Sequence, residues 1–340
     1  MATGPFTTDR MRLGWGYTGG NGTITGGTFL PVRTLPVATP EIVEQLAGHQ
    51  ATGAYMPGKQ RAGSRHFALT GVEYDLYHQA AAGTRFPHYE LLLANGWVET
   101  VGSGGGGSEL YVYTLGDPHF DGDTPDGDLT LLAPSGTSKY LGYIIDTQCV
   151  EATNVATDIQ LVFTPGDIPK IVCGFFGQIP AVYTAAVPSL CTVSPPSVSA
   201  LLAASQFPFQ SAGLTMASLQ STSFIEGIVI STGARISLAK DANQPHGVGV
   251  PKIAGYRPVG SMRVRAHNDT LEVDRLAGTA RTLAFNDGGT ALGSGGAGKI
   301  AVSMSITVTG GIQVDDGDGF KTYDVDFEMN PAGTLSLTFT

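Results

Sequence analysis

A run of carboxylates comes closest to a chemical site in this sequence. Its members are Asp117, Asp121, Asp123, Asp126 and Asp128. Closely spaced carboxylates can bind a metal ion, but a calcium loop of the EF-hand type needs ligands at its first, third and fifth positions and a closing glutamate. Residues 129–133 contain no acid. Because Asp and Gly are ordinary turn residues, we interpret the run as a solvated turn. A hydrolase that uses these carboxylates is the least favoured of three functional hypotheses.

No other group of residues has the spacing of a catalytic site. No serine lies in a G-x-S-x-G turn, and the seven histidines are scattered singly. Two glycine-rich runs, residues 103–108 and 293–298, lack the Gly-Lys-Ser/Thr ending of a phosphate loop. A second acidic run, residues 315–319, is predicted to be the turn of a hairpin. The sequence therefore predicts no enzyme, no cofactor and no metal site.

One pair of segments suggests cross-strand ion pairs. Asn268 and Asp269 form a favourable two-residue turn, and folding the chain there places Arg265 opposite Glu272. The same hairpin places Arg263 opposite Asp274. Each pair would stabilise the hairpin by about 0.2–1 kcal/mol, which helps to fix its register without implying a site.

An acidic strand is predicted near the end of the sequence. Tyr323, Val325, Phe327 and Met329 alternate with acidic residues, and successive side chains of a strand point to opposite faces. The acidic residues are Asp324, Asp326 and Glu328. This segment is predicted to bury its apolar face and to present a row of carboxylates.

Period-two segments joined by Gly and Pro extend over most of the chain, so the fold is predicted to be mainly β. A clear helix is predicted to begin near Phe86, with Pro87 in its first turn, an apolar face over residues 89–94 and a C-terminal stop at Gly96. A second short helix is predicted after Thr39 as N-cap, with Ile42, Val43 and Leu46 as its apolar stripe. Residues 270–276 are predicted to be a strand.

Composition shifts divide the chain into four predicted parts. Residues 1–62 form an N-terminal arm and extended loop, 63–180 a first β-domain, 181–217 a linker rich in Pro, Ser and Ala, and 218–340 a second β-domain. The order of strands and loops is similar on both sides of the linker, which predicts two related domains.

Charge and cysteine content limit the class of protein. The net charge of −10 argues against a protein that grips nucleic acid through phosphate contacts, because such proteins have a basic surface. The three cysteines, Cys149, Cys173 and Cys191, cannot all pair within one chain and predict a reducing environment. No signal peptide or membrane span is predicted, so we expect a soluble protein made in a cytoplasm.

Several segments together resemble the major tail tube proteins of long-tailed, siphovirus-like bacteriophages. The segments cover residues 67–71, 88–96, 223–230, 253–265, 283–289, 299–308 and 318–329. The resemblance implies two β-sandwich or barrel domains of tail-tube type with one short helix and long connecting loops. It also implies a structural virion protein that assembles into stacked rings and forms a conduit for DNA ejection.

The resemblance implies partners as well. A homotrimeric ring with two tube domains per chain is favoured and a homohexamer is the alternative, and the tape measure, tail terminator and tail tip proteins are further expected partners. Asp324, Asp326 and Glu328 are candidates to line the lumen, through which DNA passes without specific binding, or else form an ordinary outer face. The expected location is the virion tail, assembled in the host cytoplasm. The competing hypothesis is a carbohydrate- or receptor-binding β-sandwich of a virion surface, which needs an exposed aromatic platform.

Overall fold

Alternating apolar and polar residues form β-strands throughout the described part of the chain. The structure is a computed structural model and describes residues 11–19, 23–29, 32–33, 41–47, 61–79, 85–103, 109–115, 139–145, 148–178, 208–210, 213–216, 224–243, 247–265, 270–289, 298–310, 313–315 and 322–340. Within these ranges there are eighteen strands and two helices. The strands are β1 Met11–Gly19, β2 Thr23–Phe29, β3 Glu41–Ala47, β4 Arg61–Asp75, β5 Val98–Ser103, β6 Glu109–Leu115, β7 Lys139–Ile145, β8 Gln148–Phe163, β9 Lys170–Gln178, β10 Phe224–Ser231, β11 Ala234–Ser237, β12 Lys252–Tyr256, β13 Val259–Arg265, β14 Ala280–Asn286, β15 Ile300–Val308, β16 Gln313–Asp315, β17 Thr322–Met329 and β18 Leu335–Phe339. The helices are α1 Tyr89–Ala94 and α2 Thr270–Ala277.

Sixteen of the described strands form one large antiparallel sheet, which confirms the mainly β prediction. Its longest path runs in the order β2-β1-β7-β8-β10-β13-β17-β15-β18-β6-β5. Strands β9, β4 and β3 continue from β8, while β14 pairs with β15 and β16 with β17. Strands β11 and β12 form a separate two-stranded sheet.

Strands from both halves of the chain are neighbours in the main sheet. β8 pairs with β10 through Phe163 and Ile228, and β6 pairs with β18 through Tyr113 and Leu337. The two predicted β-domains, 63–180 and 218–340, therefore share strand pairs. Their boundaries, and the 181–217 linker between them, stay predictions.

The predicted alternation places one face of each strand in the core. Along β15 every second residue is buried, from Ile300 to Val308, and along β17 Tyr323, Val325 and Phe327 are buried. Each such side chain contributes about 1.5–3 kcal/mol when it leaves water completely. The intervening residues of both strands are partly or fully exposed, as the period-two pattern predicts.

Aromatic side chains join different parts of the sheet across this core. The rings of Phe163 in β8 and Phe285 in β14 meet edge to face with centroids 4.9 Å apart. Phe86, just before α1, stacks on Phe339 of β18 at 4.1 Å. Distant strands thus face each other across one apolar interior.

Helix α1, Tyr89–Ala94, confirms the predicted helix, begins two residues after Pro87 and packs on β8. Gly96 follows it with φ +89°, a left-handed conformation that suits glycine at a helix C-terminus. The Asn95 amide donates a hydrogen bond to the Thr157 carbonyl, and the Thr157 hydroxyl donates one to the Leu91 carbonyl at 2.9 Å. These bonds fix the helix end to the sheet.

Two predicted elements are wrong. The helix predicted after Thr39 is strand β3, because Ile42 pairs with Phe67 of β4 and the sheet supplies hydrogen bonds that a short helix would have to make alone. The strand predicted over residues 270–276 is helix α2. Its buried residues, Leu271 and Asp274, are three apart, which is a helical spacing.

Some predictions fall outside the described residues. They concern the acidic run between Asp117 and Asp128, most of the second run at 315–319, and most of the linker at 181–217. Neither helix in the described ranges is long and apolar enough to cross a membrane.

Candidate assembly surface

The predicted acidic row lies on the solvent side of β17. Asp326 is exposed, and Asp324 and Glu328 are partly exposed, while their neighbours Val325 and Phe327 are buried. Strand β13 runs alongside, with Ser261 opposite Asp326 and Arg263 opposite Asp324. The outward residues of β10, β13 and β17 together form a polar surface, which we call the polar face.

Basic side chains neutralise part of the acidic row. An Arg263 guanidinium nitrogen lies 3.8 Å from Asp324 Oδ2, and an Arg257 nitrogen lies 3.2 Å from Glu328 Oε2. Asp326 has no ion-pair partner among the described residues. The negative charge available to solvent is therefore centred on Asp326, in the middle of the row.

The predicted hairpin ion pairs, Arg265 with Glu272 and Arg263 with Asp274, are wrong. Both arginines bind Glu226 of β10 instead: Arg263 Nε donates to Oε2 at 2.9 Å and Arg265 Nε donates to Oε1 at 2.5 Å. The reason is that residues 270–277 form a helix, so no strand lies opposite Arg263 and Arg265 in the predicted register.

Glu272 and Asp274 bind other arginines. Glu272 pairs with Arg275 at 2.5 Å on the surface of α2. The nearly buried Asp274 binds Arg281 of β14 with both oxygens, at 2.6 and 2.9 Å. Ion pairing within α2 and between α2 and β14 replaces the pairing expected across a hairpin.

Glu226 was missed by sequence reasoning. It lies at an irregularity of β10, where the register against β13 shifts between Ile225 and Gly227. Such a bulge adds one unpaired residue and redirects its side chain. No short-range signal in the sequence identifies the bulge, because it depends on a partner strand more than thirty residues away.

A shallow groove of about 420 Å³ crosses the polar face. Among the described residues, its lining mixes small, apolar and charged side chains and contains no aromatic ring. The lining residues are Gly227, Val229, Ser261, Met262, Arg263, Asp324 and Asp326. Small-molecule sites are mostly enclosed and rich in apolar and aromatic side chains, so this open groove is better suited to a broad contact or to solvent.

A buried His78–Asp287 pair forms a second polar cluster. His78 Nε2 is hydrogen-bonded to Asp287 Oδ2, and Asp287 Oδ1 accepts backbone N–H groups from Gly289 and Ile300 at 3.0 and 3.1 Å. The carboxylate thereby joins the end of β4 to the residues that flank β14 and β15. The His78–Asp287 hydrogen bond therefore stabilises the fold. Sequence reasoning missed it because the two residues are 209 positions apart.

Two other observations concern thiol reactivity and metal binding. Burial raises the pKa of the Cys173 thiol, which disfavours the reactive thiolate. The described residues contain no group of three or more His, Cys, Asp and Glu side chains placed to hold a metal ion.

The large hydrophobic residues exposed in the described ranges are all aliphatic. They are Val98, Val101, Val259, Val273 and Leu276. Trp97 is fully buried, and the Tyr256 hydroxyl donates a hydrogen bond to the Asn95 carbonyl. These two aromatic residues therefore do not form an exposed platform for a sugar.

Comparisons of the sequence with protein-family models and with curated proteins find no match. We therefore infer function from the geometry of these surfaces together with the resemblance described above.

Proposed function

We propose that this chain is a structural subunit of a phage-type tail tube, which self-assembles into stacked rings around a channel for DNA. The observation that carries the proposal is the polar face. Three carboxylates of β17 share the solvent side of a large antiparallel sheet whose other side is buried. A rigid sheet with a polar outer face and an apolar inner face is suited to forming the wall of a channel.

The acidic row supplies a reason for DNA to pass without binding. Phosphates repel carboxylates, and the repulsion acts over a Debye length of roughly 8–10 Å at physiological salt. Arg257 and Arg263 weaken the effect at Glu328 and Asp324, so Asp326 contributes the most repulsion. Arginines held in ion pairs with carboxylates also bind phosphate less readily than free ones.

The expected partners follow from this role. Copies of the chain are the main partner, and the tape measure, tail terminator and tail tip proteins are the others, with the assembled tube located in the virion tail. A ring of three chains requires two tube domains in each chain. Strands of the two halves pair with each other, so each chain contributes one folded unit to the ring. This favours a ring of six chains over a ring of three.

Electron microscopy of the purified protein tests assembly. We expect rings or tubes, and the mass of one ring, three or six times 35.3 kDa, gives the stoichiometry. A protein that stays monomeric at high concentration, also when mixed with tail-initiation components, would exclude the proposal.

The channel role is tested at Asp326. We expect Asp326→Lys to assemble but to retard DNA ejection, because it places a cation next to Arg263 on the channel wall. Asp326→Asn is the matched control, since it removes the carboxylate without adding positive charge, and it should have the smaller effect. Unchanged ejection by an assembled Asp326→Lys tube, or a reconstruction with Asp326 on the outer wall, would contradict the role.

A further inference from the structure

Two arginines on the polar face share one carboxylate. Arg263 and Arg265 lie two residues apart in β13, so their side chains point to the same face, roughly 7 Å from each other along the strand. Arg263 Nε donates a hydrogen bond to Glu226 Oε2, and Arg265 Nε donates one to Glu226 Oε1. Each oxygen of a single carboxylate therefore binds one guanidinium.

The bulge in β10 places Glu226 between the two arginines. Phe224 lies opposite Arg265 and Gly227 lies opposite Arg263, and the register shift leaves Glu226 as the extra residue between these pairs. The extra residue of a bulge has no partner directly across the ladder, and its side chain is redirected. The bulge thus explains how one side chain reaches both arginines.

Both guanidiniums are accessible to solvent. Arg263 is 41% exposed and Arg265 is 31% exposed, while Glu226 is 28% exposed. Arginine is the side chain best suited to binding phosphate, because its planar N–H groups match two phosphate oxygens at once. Two arginines on one side of a strand therefore supply the donors of a phosphate-binding site.

Glu226 occupies the atoms that would bind a phosphate. Nε and the neighbouring terminal nitrogen form one of the edges through which a guanidinium binds phosphate in a bidentate manner. In both arginines the Nε atom donates to Glu226 instead. Asp324 is not equivalent to Glu226, because it lies 3.8 Å from Arg263, beyond hydrogen-bonding distance.

Glu226 also determines the net charge of the polar face. The charged residues of β10, β13 and β17 are four carboxylates and two arginines, and Arg257 adds a third arginine beside Glu328. Four negative and three positive charges give a sum of −1. Without Glu226 the sum is zero, and two arginines lose the carboxylate that they share.

We propose that Glu226 keeps DNA phosphates off the polar face by masking Arg263 and Arg265, which form a phosphate-binding pair when the carboxylate is removed. The inference rests on the proposed function, because it explains how a channel wall that contains arginines lets DNA pass. The acidic row of β17 adds general repulsion, whereas Glu226 blocks the two side chains that would hold a phosphate.

DNA binding by the purified protein tests the masking without requiring a tube. We expect Glu226→Ala to bind a short labelled DNA duplex at least about tenfold more tightly than the wild type at low salt, measured by fluorescence anisotropy. Glu226→Gln should lie between them, because its amide oxygen still accepts a hydrogen bond from one arginine. Two phosphate contacts predict that the affinity of Glu226→Ala falls roughly twelvefold between about 50 and 200 mM salt.

Glu73→Ala is the matched control. Glu73 is 30% exposed, close to the 28% of Glu226, and its replacement changes the net charge by the same amount. It lies in β4, which is not a strand of the polar face, and its partner is a lysine. Lys170 keeps Asp167 at 4.0 Å when Glu73 is replaced. DNA binding should therefore stay at the wild-type level.

A triple variant shows whether the gain comes from the arginines. Glu226→Ala/Arg263→Gln/Arg265→Gln should return to the affinity of the wild type, because the phosphate donors are gone. A loss of fold would not produce salt-dependent binding that these two substitutions abolish, and far-ultraviolet circular dichroism checks that each variant is folded. Glu226→Gln keeps the shape of the side chain and provides the same test if Glu226→Ala does not fold.

The outcomes separate this inference from the proposed function. Equal DNA binding by Glu226→Ala and Glu73→Ala, or a gain that persists in the triple variant, would overturn the masking and leave the tube intact. In assembled tubes Glu226→Ala should retard DNA ejection, and the triple variant should restore it. A gain of DNA binding in solution, combined with a polar face on the outer wall of the tube, would support the masking and overturn the channel role.

Discussion

His88 is a buried, titratable residue immediately before helix α1. Its ring contacts those of Tyr74 and Tyr77, with centroids 5.2 and 5.7 Å away, and neither ring nitrogen has a hydrogen-bond partner among the described residues. Burial lowers the pKa of His88 from 6.5 to about 3, because the apolar surroundings disfavour the imidazolium. The folded protein therefore keeps this histidine neutral.

We expect the protein to lose stability as the pH falls below about 6.5. The folded-state pKa lies below the unfolded-state value, so the unfolded chain binds the proton first, and stability falls progressively until about pH 3. At pH 4.5 the contribution of this residue is a loss of about 3 kcal/mol. His88→Phe should reduce the difference in free energy of unfolding between pH 7.5 and pH 4.5 by a similar amount, measured by urea denaturation.

Tyr77→Phe is the control for that experiment. It alters a ring in contact with His88, but a phenol does not titrate in this pH range, so the wild-type pH dependence should persist. If His88→Phe kept the full pH dependence, another group would have to be its source.

Gly260 is a residue-scale requirement of the sheet. A Cβ atom there would lie 2.5 Å from the Phe327 ring and 2.5 Å from the Val229 carbonyl oxygen, and the backbone oxygen cannot move aside. We expect Gly260→Ala to destabilise the protein by about 1–3 kcal/mol, in the range of overpacked cores. Gly227→Ala is the matched control in neighbouring β10, because its Cβ would meet only an ordinary 3.7 Å contact. Equal stability of the two variants in chemical denaturation would contradict this account.

At the scale of elements, one buried carboxylate attaches helix α2 to the sheet. Asp274 is 3% exposed and accepts two hydrogen bonds from Arg281, whereas Glu272 forms its ion pair with Arg275 at the surface. We expect Asp274→Asn to lower the melting temperature by several degrees, because the guanidinium loses a charged, bidentate partner. Glu272→Gln should change it little, since exposed ion pairs are weak. Similar effects of the two variants in thermal unfolding would mean that Asp274 does not anchor the helix.

The sequence best predicts the strands and helices that are determined by their own residues. Strands β15 and β17 alternate strictly, and helix α1 carries a glycine stop, so local pattern and final structure agree. Strand β3 has an apolar spacing that suits a helix, and pairing with β4 decides the outcome. The segment of α2 shows the reverse error, because a favourable turn before it suggested a hairpin although Gly278, with φ +61°, ends a helix.

The candidate surface was predictable to a similar extent. The alternation along β17 places the carboxylates of Asp324, Asp326 and Glu328 on one face, and the structure agrees. Their basic partners and the Glu226 bridge depend on which strands become neighbours and on a bulge in β10. Strand neighbours are a property of the folded chain, which no local pattern in a single sequence specifies.

At the scale of the whole molecule, Phe339 connects the two halves of the chain. Its strand, β18, pairs with β15 of the second half and β6 of the first. Its ring stacks on Phe86 and meets Tyr113 edge to face at 5.8 Å. A similar connection exists where Phe163 of β8 meets Phe285 of β14. Unfolding either half would therefore expose core residues of the other.

This shared core predicts a single cooperative unfolding transition, even if the halves are related domains. Phe339→Ala should lower the stability of the whole chain by about 3–5 kcal/mol, and calorimetry should show one transition at a lower temperature, with equal calorimetric and van't Hoff enthalpies. Thr338→Ala, on the partly exposed face of the same strand, is the matched control and should shift the transition little. Two transitions, of which Phe339→Ala moves only one, would instead support domains that fold independently on either side of the 181–217 segment. One shared transition would mean that the two halves fold and unfold together, so the proposed ring subunit would enter its assembly as a single folded unit.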